Sequence, residues 1–337
     1  MSVFQSAIEL AFESASIDRD VASGVFSIQL SLDRWADGQD VAASFPESKA
    51  GTGVQADFKV AMLGGIPLPQ RFLPSDVSRC AIYEDQKYLT QWMPMPEGTL
   101  YIWDFENRRG VMWCTTPKLP AGLLGRPFLP LISAFAAQTD WCPLHASAVG
   151  RDGRFLLLVG PGRAGKSTAA LSCAAAGWQY AGDDFVLVNP KVRRVEPLFT
   201  SGRLRKSAPE ELTSNLSSFV FAESNDFDDP RFELRFRPEK GGMLIQGGVI
   251  EGILIPRRRG GQNFEIERAK SSQTYAAMVA HTRVRAPGRA EQLTKKLLAV
   301  TRMLPAHFID TGNDITAIPA RFQQILDEHR GERSYAR

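Results

Sequence analysis

A glycine-rich stretch lies between a short apolar run and an alanine-rich segment near the middle of this 337-residue chain. The apolar run, residues 155–159 (FLLLV), has the length and composition of a buried strand. The alanine-rich segment, Thr168 to Ala176, is followed by Gly177 and predicts a helix with a C-terminal glycine stop. The order strand, glycine loop, helix constrains the fold strongly, because it is the signature of a phosphate-cradling P-loop.

The glycine-rich stretch itself fits the pattern G-x-x-x-x-G-K-[ST]. Backbone N–H groups of such a loop turn inward around phosphate oxygens, and the dipole of the following helix adds positive potential. Lys166 is predicted to reach the β- and γ-phosphates of a nucleotide, and the Ser167 hydroxyl to ligate Mg²⁺. The predicted cofactors are therefore ATP and Mg²⁺. The predicted nucleotide-binding residues are Gly160, Pro161, Gly162, Arg163, Ala164, Gly165, Lys166, Ser167 and Thr168.

Two adjacent aspartates, Asp183 and Asp184, follow the predicted helix after a strand-like aromatic stretch. A P-loop enzyme needs a carboxylate to hold Mg²⁺, and a kinase also needs one to accept the proton of the acceptor hydroxyl or to orient it. The pair can supply both. Adjacent strand residues point to opposite faces, so only one of the two faces the phosphates unless a bulge intervenes. The alternative is a Gly-Asp-Asp turn without a catalytic role.

His145, the glycine loop and the acidic pair together resemble the HPr kinase/phosphorylase family and its wider relatives. Proteins of that family share a His about fifteen residues before the first P-loop glycine and an acidic pair after the following helix, and the spacings here match. The resemblance covers residues 143–200 closely and the rest of the second half loosely. It implies a kinase domain of the phosphoenolpyruvate-carboxykinase-like type that phosphorylates a Ser hydroxyl of a peptide or protein. Among the relatives, lasso-peptide kinases are a closer match than HPr kinase itself.

The resemblance also implies a role for each site residue. Asp183 matches the catalytic base, Lys166 and Ser167 match residues that bind the nucleotide, and His145 matches a residue near the transferred phosphate. Ser167 and Asp184 are the predicted metal ligands, and which of the two aspartates is the base and which serves Mg²⁺ stays open. The predicted catalytic residues are His145, Lys166, Asp183 and Asp184.

The chain also departs from that family. Thr168 stands where HPr kinases carry Glu after the loop Ser, and residues 162–164 (GRA) differ from their usual Gly-x-Ser-Gly. The glycine-rich C-terminal signature used in the phosphorolytic reaction is not found. These differences argue against HPr as the substrate and against phosphorylase activity.

Length and composition predict a protein of two domains. Residues 1–140 are predicted to form an N-terminal α+β domain of unknown role, and residues 141–330 a P-loop catalytic domain. The P-loop order predicts an α/β fold, and the resemblance implies a mixed sheet of the HPr kinase/phosphoenolpyruvate-carboxykinase-like type.

Local periodicity predicts further elements. They are helices at 6–14, 271–280, 290–303 and 319–330, strands at 26–30, 249–255 and 264–267, and hairpins at 99–114 and 185–195. The pattern is least informative over residues 207–248.

No stretch offers eighteen uninterrupted apolar residues, and the N-terminus lacks the basic leader of a signal peptide. The four cysteines are widely spaced without a C-x-x-C pair, which is typical of free thiols in a reducing cytoplasm. A cytoplasmic protein without a membrane partner is predicted.

Charge is distributed unevenly along the chain. Residues 1–150 carry 11 Lys and Arg against 16 Asp and Glu, whereas residues 151–337 carry 29 against 21. A basic second half suits a nucleotide and an acidic peptide partner. The three basic clusters are predicted to be solvated loops or strand ends, since aromatic interleaving and a nucleic-acid-binding motif are missing. The clusters are residues 203–206, 257–259 and 283–285.

The residues leave two other functions open. One is a kinase for a small-molecule hydroxyl, with its pocket in the N-terminal domain. The other is a nucleotide-binding regulatory module that hydrolyses ATP slowly or not at all. The acidic pair favours an enzyme, because a pure sensor does not need two carboxylates beside the γ-phosphate. The oligomeric state is open, with a homo-oligomer among the alternatives. The other histidines, His281, His307 and His329, show no partner pattern and are predicted to be structural.

Overall fold

The computed structural model describes residues 2–46, 56–65, 67–94, 98–116, 118–224, 230–236, 245–257, 264–285, 288–311 and 314–334. The chain divides into two compact units. The N-terminal unit is Met1–Thr139 with Arg285–Ala290, and the C-terminal unit is Asp140–Val284 with Glu291–Arg337. The fold is α/β with mixed sheets.

Within its described residues, the N-terminal unit contains one seven-stranded sheet of order β1-β2-β3-β7-β6-β5-β4. Parallel pairing joins β2 to β3 and β3 to β7, and the other neighbours pair antiparallel. The strands are β1 (Ile17–Ser23), β2 (Phe26–Leu32), β3 (Phe58–Gly64), β4 (Ala81–Glu84), β5 (Tyr88–Met93), β6 (Thr99–Asp104) and β7 (Arg109–Cys114). The helices are α1 (Val3–Ser14), α2 (Arg34–Asp37), α3 (Ala121–Leu124) and α4 (Leu129–Ala137).

Local patterns predicted several elements of this unit correctly. Alternation of apolar residues predicted the strand at 26–30, and two apolar runs flanking residues 104–109 predicted the β6–β7 hairpin. The amphipathic segment at 6–14 forms α1, which begins earlier because the Ser2 side chain caps it by accepting a hydrogen bond from the Gln5 N–H.

A short segment from the second half of the chain belongs to the N-terminal unit. The Arg289 guanidinium lies 3.8 Å from the centroid of the Phe105 ring and donates hydrogen bonds to the carbonyl oxygens of Asp85 and Gln86. Stacking of an arginine on an aromatic face, combined with two carbonyl acceptors, anchors the segment Arg285–Ala290 to this unit.

The C-terminal unit is organised around a nine-stranded mixed sheet. Seven of the strands lie in the order β11-β9-β10-β17-β13-β12-β8, and the other two are β19, which pairs with β17, and β18, which pairs with β19. β17 pairs parallel with both β10 and β19. The strands are β8 (Cys142–Leu144), β9 (Ala146–Arg151), β10 (Arg154–Val159), β11 (Gln179–Gly182), β12 (Val186–Asn189), β13 (Arg194–Pro197), β17 (Gly248–Arg257), β18 (Glu265–Ala269) and β19 (Ala306–Asp310). The helices are α5 (Lys166–Ala175), α6 (Glu210–Leu216), α7 (Ser271–Arg285), α8 (Ala290–Met303) and α9 (Ile318–Ser334).

Both faces of β10 are covered, which explains its uninterrupted apolar sequence. Leu156 and Leu158 pack in a core with residues of α5 and α9. Phe155, Leu157 and Val159 pack in a second core with residues of α7 and α8. The strand that leads into the glycine loop is therefore held from both sides.

A separate three-stranded sheet of order β14-β16-β15 comes from a region where the sequence pattern was least informative. Its strands are β14 (Ser201–Arg205), β15 (Val220–Ser224) and β16 (Arg231–Arg235). The predicted strands at 249–255 and 264–267 are both present as β17 and β18. They do not pair with each other, because β19 lies between them. No described helix is both long enough and apolar enough to cross a membrane.

Candidate functional site

The glycine loop, residues 160–167, leads from the end of β10 into the start of α5. Gly165 is the N-cap of α5 and has φ 106°, a left-handed conformation that favours glycine. Arg163 is also left-handed, with φ 68°. The N-cap residue Gly165 makes no side-chain hydrogen bond to the start of α5. Anion-binding helix N-termini commonly have a glycine loop at this position, because backbone N–H groups then face the anion.

The side chain of Lys166 contacts the first two residues of the glycine loop. Its Nζ atom donates hydrogen bonds to the carbonyl oxygens of Gly160 at 2.8 Å and Pro161 at 3.1 Å. The side chain is buried, although Pro161, Gly162 and Arg163 around it are exposed. The ammonium group is thus held at the loop, and its predicted contact with the nucleotide phosphates stays a prediction.

His281 on α7 contacts the glycine loop directly. The backbone N–H of Gly162 donates to its Nε2 atom at 3.1 Å, across 119 residues of sequence. Because an amide N–H only donates, Nε2 of His281 carries a lone pair in this arrangement. The neighbouring Thr282 accepts a hydrogen bond from the backbone N–H of His145 at 3.1 Å. These two consecutive residues fix α7 to both the loop and the segment that carries His145.

His145 lies between His281 and the acidic pair. Its ring stacks on the His281 ring, with centroids 5.2 Å apart and planes inclined by 28°. Its Nε2 atom is 3.0 Å from Oδ1 of Asp184, and both side chains are almost fully buried. Nδ1 of His145 is also buried and has no hydrogen-bond partner among the described residues. A contact chain therefore links Asp184 to the glycine loop through two imidazoles.

Asp183 is oriented by different groups. Its Oδ1 atom accepts a hydrogen bond from the Ser147 hydroxyl at 2.5 Å, and Oδ2 accepts one from the backbone N–H of Arg203 at 3.4 Å. The side chain is buried. Each carboxylate oxygen keeps further acceptor capacity, so the two donors orient the group without exhausting it.

The two aspartates diverge because the backbone is irregular at this point. The register between β11 and β9 shifts between Tyr180 and Gly182, and Asp184 has a left-handed φ of 73°. Asp183 points to Ser147, and Asp184 points to His145. The structure therefore brings His145 and Asp184 into contact and gives Asp183 separate partners.

Arginines line the cleft beside the glycine loop. Arg203, Arg205 and Arg231 share this cleft with residues 163–168 of the loop and of α5. Arg205 and Arg231 are direct partners across the β14–β16 pairing. The prediction of a solvated cluster is wrong for Arg203, which is buried and forms a 2.9 Å ion pair from Nε to Oε1 of the buried Glu233. Because β14 pairs with β16, Arg203 and Arg205 of this cluster line the cleft together with Arg231.

The other predicted basic clusters are described only in part. Arg258 and Arg259 lie outside the described residues, as do the side chains of residues 283–285. Arg257 donates to a carboxylate oxygen of Glu267 on β18 and stacks on the Phe308 ring at 4.6 Å.

Sequence reasoning missed three residues that contact the site, namely Ser147, Arg231 and His281. None has a neighbouring motif, and each reaches the site only through the tertiary fold. His281 was predicted to be structural, and the structure gives it a direct contact with the glycine loop. The contact could not be predicted from the sequence, because His281 lies 119 residues after Gly162 and no local pattern connects the two.

Ser167 and Asp184, the predicted ligands of Mg²⁺, have the donor chemistry that this ion prefers, and their binding of it stays a prediction. Among the described residues, no group of three or more His, Cys, Asp or Glu side chains is placed to hold a metal ion. Mg²⁺ is commonly held by one or two carboxylates, with phosphate oxygens and water completing its octahedron. The Ser167 hydroxyl and the Asp184 carboxylate are hard oxygen donors of that kind.

Comparison with known proteins gives little further information. No protein-family model matches the chain, and no curated protein matches it. A solved structure, the HPr(Ser) kinase/phosphatase from Coxiella burnetii, is similar over 57% of this chain and 98% of its own length, at 11% sequence identity and a TM-score of 0.28. A TM-score this low assigns neither a fold nor a function to the chain.

Proposed function

We propose that this protein is an ATP-dependent kinase that transfers the γ-phosphoryl group of ATP to the hydroxyl of a serine in a peptide or protein. The observation that carries the proposal is the contact chain from the glycine loop through His281 and His145 to Asp184. An isolated phosphate-binding loop needs no such connection to a buried carboxylate, whereas phosphoryl transfer requires a loop and a carboxylate in one site.

The nucleotide phosphates are proposed to bind at the uncapped N-terminus of α5. The N–H groups there would donate to phosphate oxygens, and Lys166 would exchange its carbonyl acceptors for a phosphate. Arg205 and Arg231 on the other wall of the cleft add positive charge. Mg²⁺, held by Ser167 and Asp184, would neutralise charge that develops on the phosphates during transfer.

The chemical step needs one proton acceptor. The bond between the γ-phosphorus and the β,γ-bridging oxygen breaks, and a new bond forms between that phosphorus and the serine oxygen. The hydroxyl proton passes to Asp183, which Ser147 and the Arg203 N–H hold in one orientation. The electron pair of the broken bond leaves with ADP. Positioning and charge neutralisation account for most of the catalysis in such a site.

His145 is proposed to act beside the transferred phosphoryl group. Its buried Nδ1 atom lacks a hydrogen-bond partner among the described residues, and a buried polar atom of this kind is normally satisfied by a ligand or water. A phosphate oxygen would supply an acceptor when Nδ1 carries a proton. Serine as the acceptor rests on the family resemblance and on the basic second half of the chain, which suits an acidic peptide.

Binding and transfer can be tested separately. Lys166→Ala should weaken ATP binding strongly in calorimetry and leave the fold intact, whereas Lys59→Ala, an exposed lysine of the N-terminal unit, should not change it. Unchanged ATP affinity in a folded Lys166→Ala protein would refute the nucleotide site.

Transfer is tested with γ-labelled ATP, Mg²⁺ and Ser-containing peptides encoded by neighbouring genes. The expected product is an acid-stable, alkali-labile phosphoester on serine. Label found only on a metabolite would instead indicate a small-molecule kinase. Label released only as free phosphate, with every peptide, would indicate a regulatory ATPase.

A further inference from the structure

A second cavity, of about 520 Å³, lies between the turn joining β12 to β13 and the outer face of α8. It shares no lining residue with the cleft at the glycine loop. We call it the basic groove, because four cations line it around an apolar floor. The cations are Lys191, Arg193, Lys295 and Arg302, and Leu298 and Met303 contribute to the floor.

One stripe of α8 lines the basic groove and includes Leu298 of its floor. Lys295, Leu298, Ala299 and Arg302 are all exposed and recur at the i, i+3, i+4, i+7 spacing of one helical face. The opposite face, with Leu293, Leu297 and Val300, is buried in the core. The exposed stripe therefore places an apolar centre between two cations.

The β12–β13 turn supplies the facing wall. Pro190, Lys191 and Arg193 of this turn line the groove, and Val192 between them is 58% exposed. Arg193 has a left-handed φ of 53°, a conformation that glycine and asparagine adopt more readily. An arginine and an exposed valine thus occupy turn positions where small polar residues are the usual choice.

Two of the four cations already have acidic partners. Lys191 is 2.7 Å from Asp140, and Lys295 is 2.6 Å from Glu291. The side chains of Arg193 and Arg302 make no hydrogen bond or ion pair with any described residue. Both arginines are exposed, so the groove presents two guanidinium groups together with the apolar surface of Leu298.

We propose that the basic groove binds an acidic peptide segment of another protein, with carboxylates on Arg193 and Arg302 and an apolar side chain on Leu298. Charge complementarity selects this occupant, because planar guanidinium groups pair with carboxylates in a bidentate geometry. The apolar floor selects against a simple inorganic anion, which has no apolar surface to bury. The inference concerns a docking surface and does not depend on the proposed phosphoryl transfer.

The test uses three fluorescein-labelled 12-residue peptides: alternating Glu-Leu, alternating Lys-Leu and alternating Glu-Ser. Fluorescence anisotropy with the full chain should show the Glu-Leu peptide binding about tenfold or more tightly than the other two. Arg193→Gln combined with Arg302→Gln should weaken its binding by about tenfold, and Leu298→Asn should remove its preference over Glu-Ser. Lys166→Ala should leave binding unchanged.

A matched double variant, Arg151→Gln with Arg321→Gln, removes the same charge from exposed arginines of the C-terminal unit outside the groove. Equal weakening by both double variants would overturn the proposal, because binding would then depend only on net charge. Absence of Glu-Leu binding at protein concentrations up to about 1 mM would also overturn it, because even a millimolar dissociation constant would then be detected. Sedimentation that showed a dimer of the full chain, lost in the Arg193/Arg302 variant, would assign the groove to a second copy instead.

Discussion

The Nε2 atom of His281 lies 3.1 Å from the backbone nitrogen of Gly162, so a histidine of α7 accepts a hydrogen bond from the glycine loop. The same imidazole stacks on His145, which in turn contacts Asp184. Two stacked imidazoles thus join the glycine loop to the acidic pair. The position of the loop is therefore coupled to the position of the carboxylate that is proposed to hold Mg²⁺.

Replacement of His281 by phenylalanine should raise the dissociation constant of ATP by about fivefold, since a net hydrogen bond contributes about 1 kcal/mol. Phenylalanine keeps an aromatic ring against His145 and removes only the acceptor. Calorimetry with ATP and Mg²⁺ measures the change, and His281→Ala should weaken binding further because the ring stack is lost as well. Wild-type affinity in a folded His281→Phe protein would show that this hydrogen bond does not order the loop.

Asp183→Asn should lower phosphoryl transfer by about 10²-fold or more while ATP still binds, because it removes a positioned base. Ser147→Ala should have a smaller effect, since it removes one of the two donors that orient the carboxylate. Single-turnover rates and ATP affinity separate the two steps. Near wild-type transfer in Asp183→Asn, together with an inactive Asp184→Asn, would exchange the roles assigned to the two aspartates.

Arg205→Gln combined with Arg231→Gln should weaken ATP binding by about tenfold and reduce its dependence on salt, because the pair lines the cleft that the glycine loop also lines. The Arg151→Gln/Arg321→Gln protein serves as the matched control for lost positive charge. AMP should be affected less than ATP if the arginines contact the β- or γ-phosphate. Identical ATP binding in the Arg205/Arg231 protein and the wild type would exclude these arginines from the nucleotide site.

Only one of the four cysteines should react with a thiol reagent in the native protein. Cys80 is exposed, whereas the other three are buried. Burial raises the pKa of both the Cys114 and the Cys142 thiols to about 12, and it also raises the pKa of the Cys173 thiol. Thiolate is the reactive form, so these three stay protonated and inaccessible at pH 8. Ellman titration should count about one thiol per chain before denaturation and four after it, and Cys80→Ser should abolish the native signal.

Local sequence signals are sufficient to predict several elements of the fold. The run at 155–159 indicated the buried strand β10, the glycines indicated the loop, and the alanine-rich segment indicated α5. Periodicity and turn chemistry act between residues a few positions apart, so they can be read directly from the chain. The same kind of signal identified the β12–β13 hairpin and the helices α7, α8 and α9.

Long-range packing, in contrast, controls which side chains meet at the site. Ser147 reaches Asp183 across 36 residues, and His281 reaches Gly162 across 119. Arg205 lies opposite Arg231 because β14 pairs with β16, and the sequence pattern of neither strand predicts that pairing. Contacts of this kind depend on strand order and helix packing. Sequences with the same hydrophobic periodicity can adopt different strand orders and helix packings, so periodicity does not predict these contacts. Local sequence thus specifies the strand, glycine loop and helix, and long-range packing specifies which residues contact them.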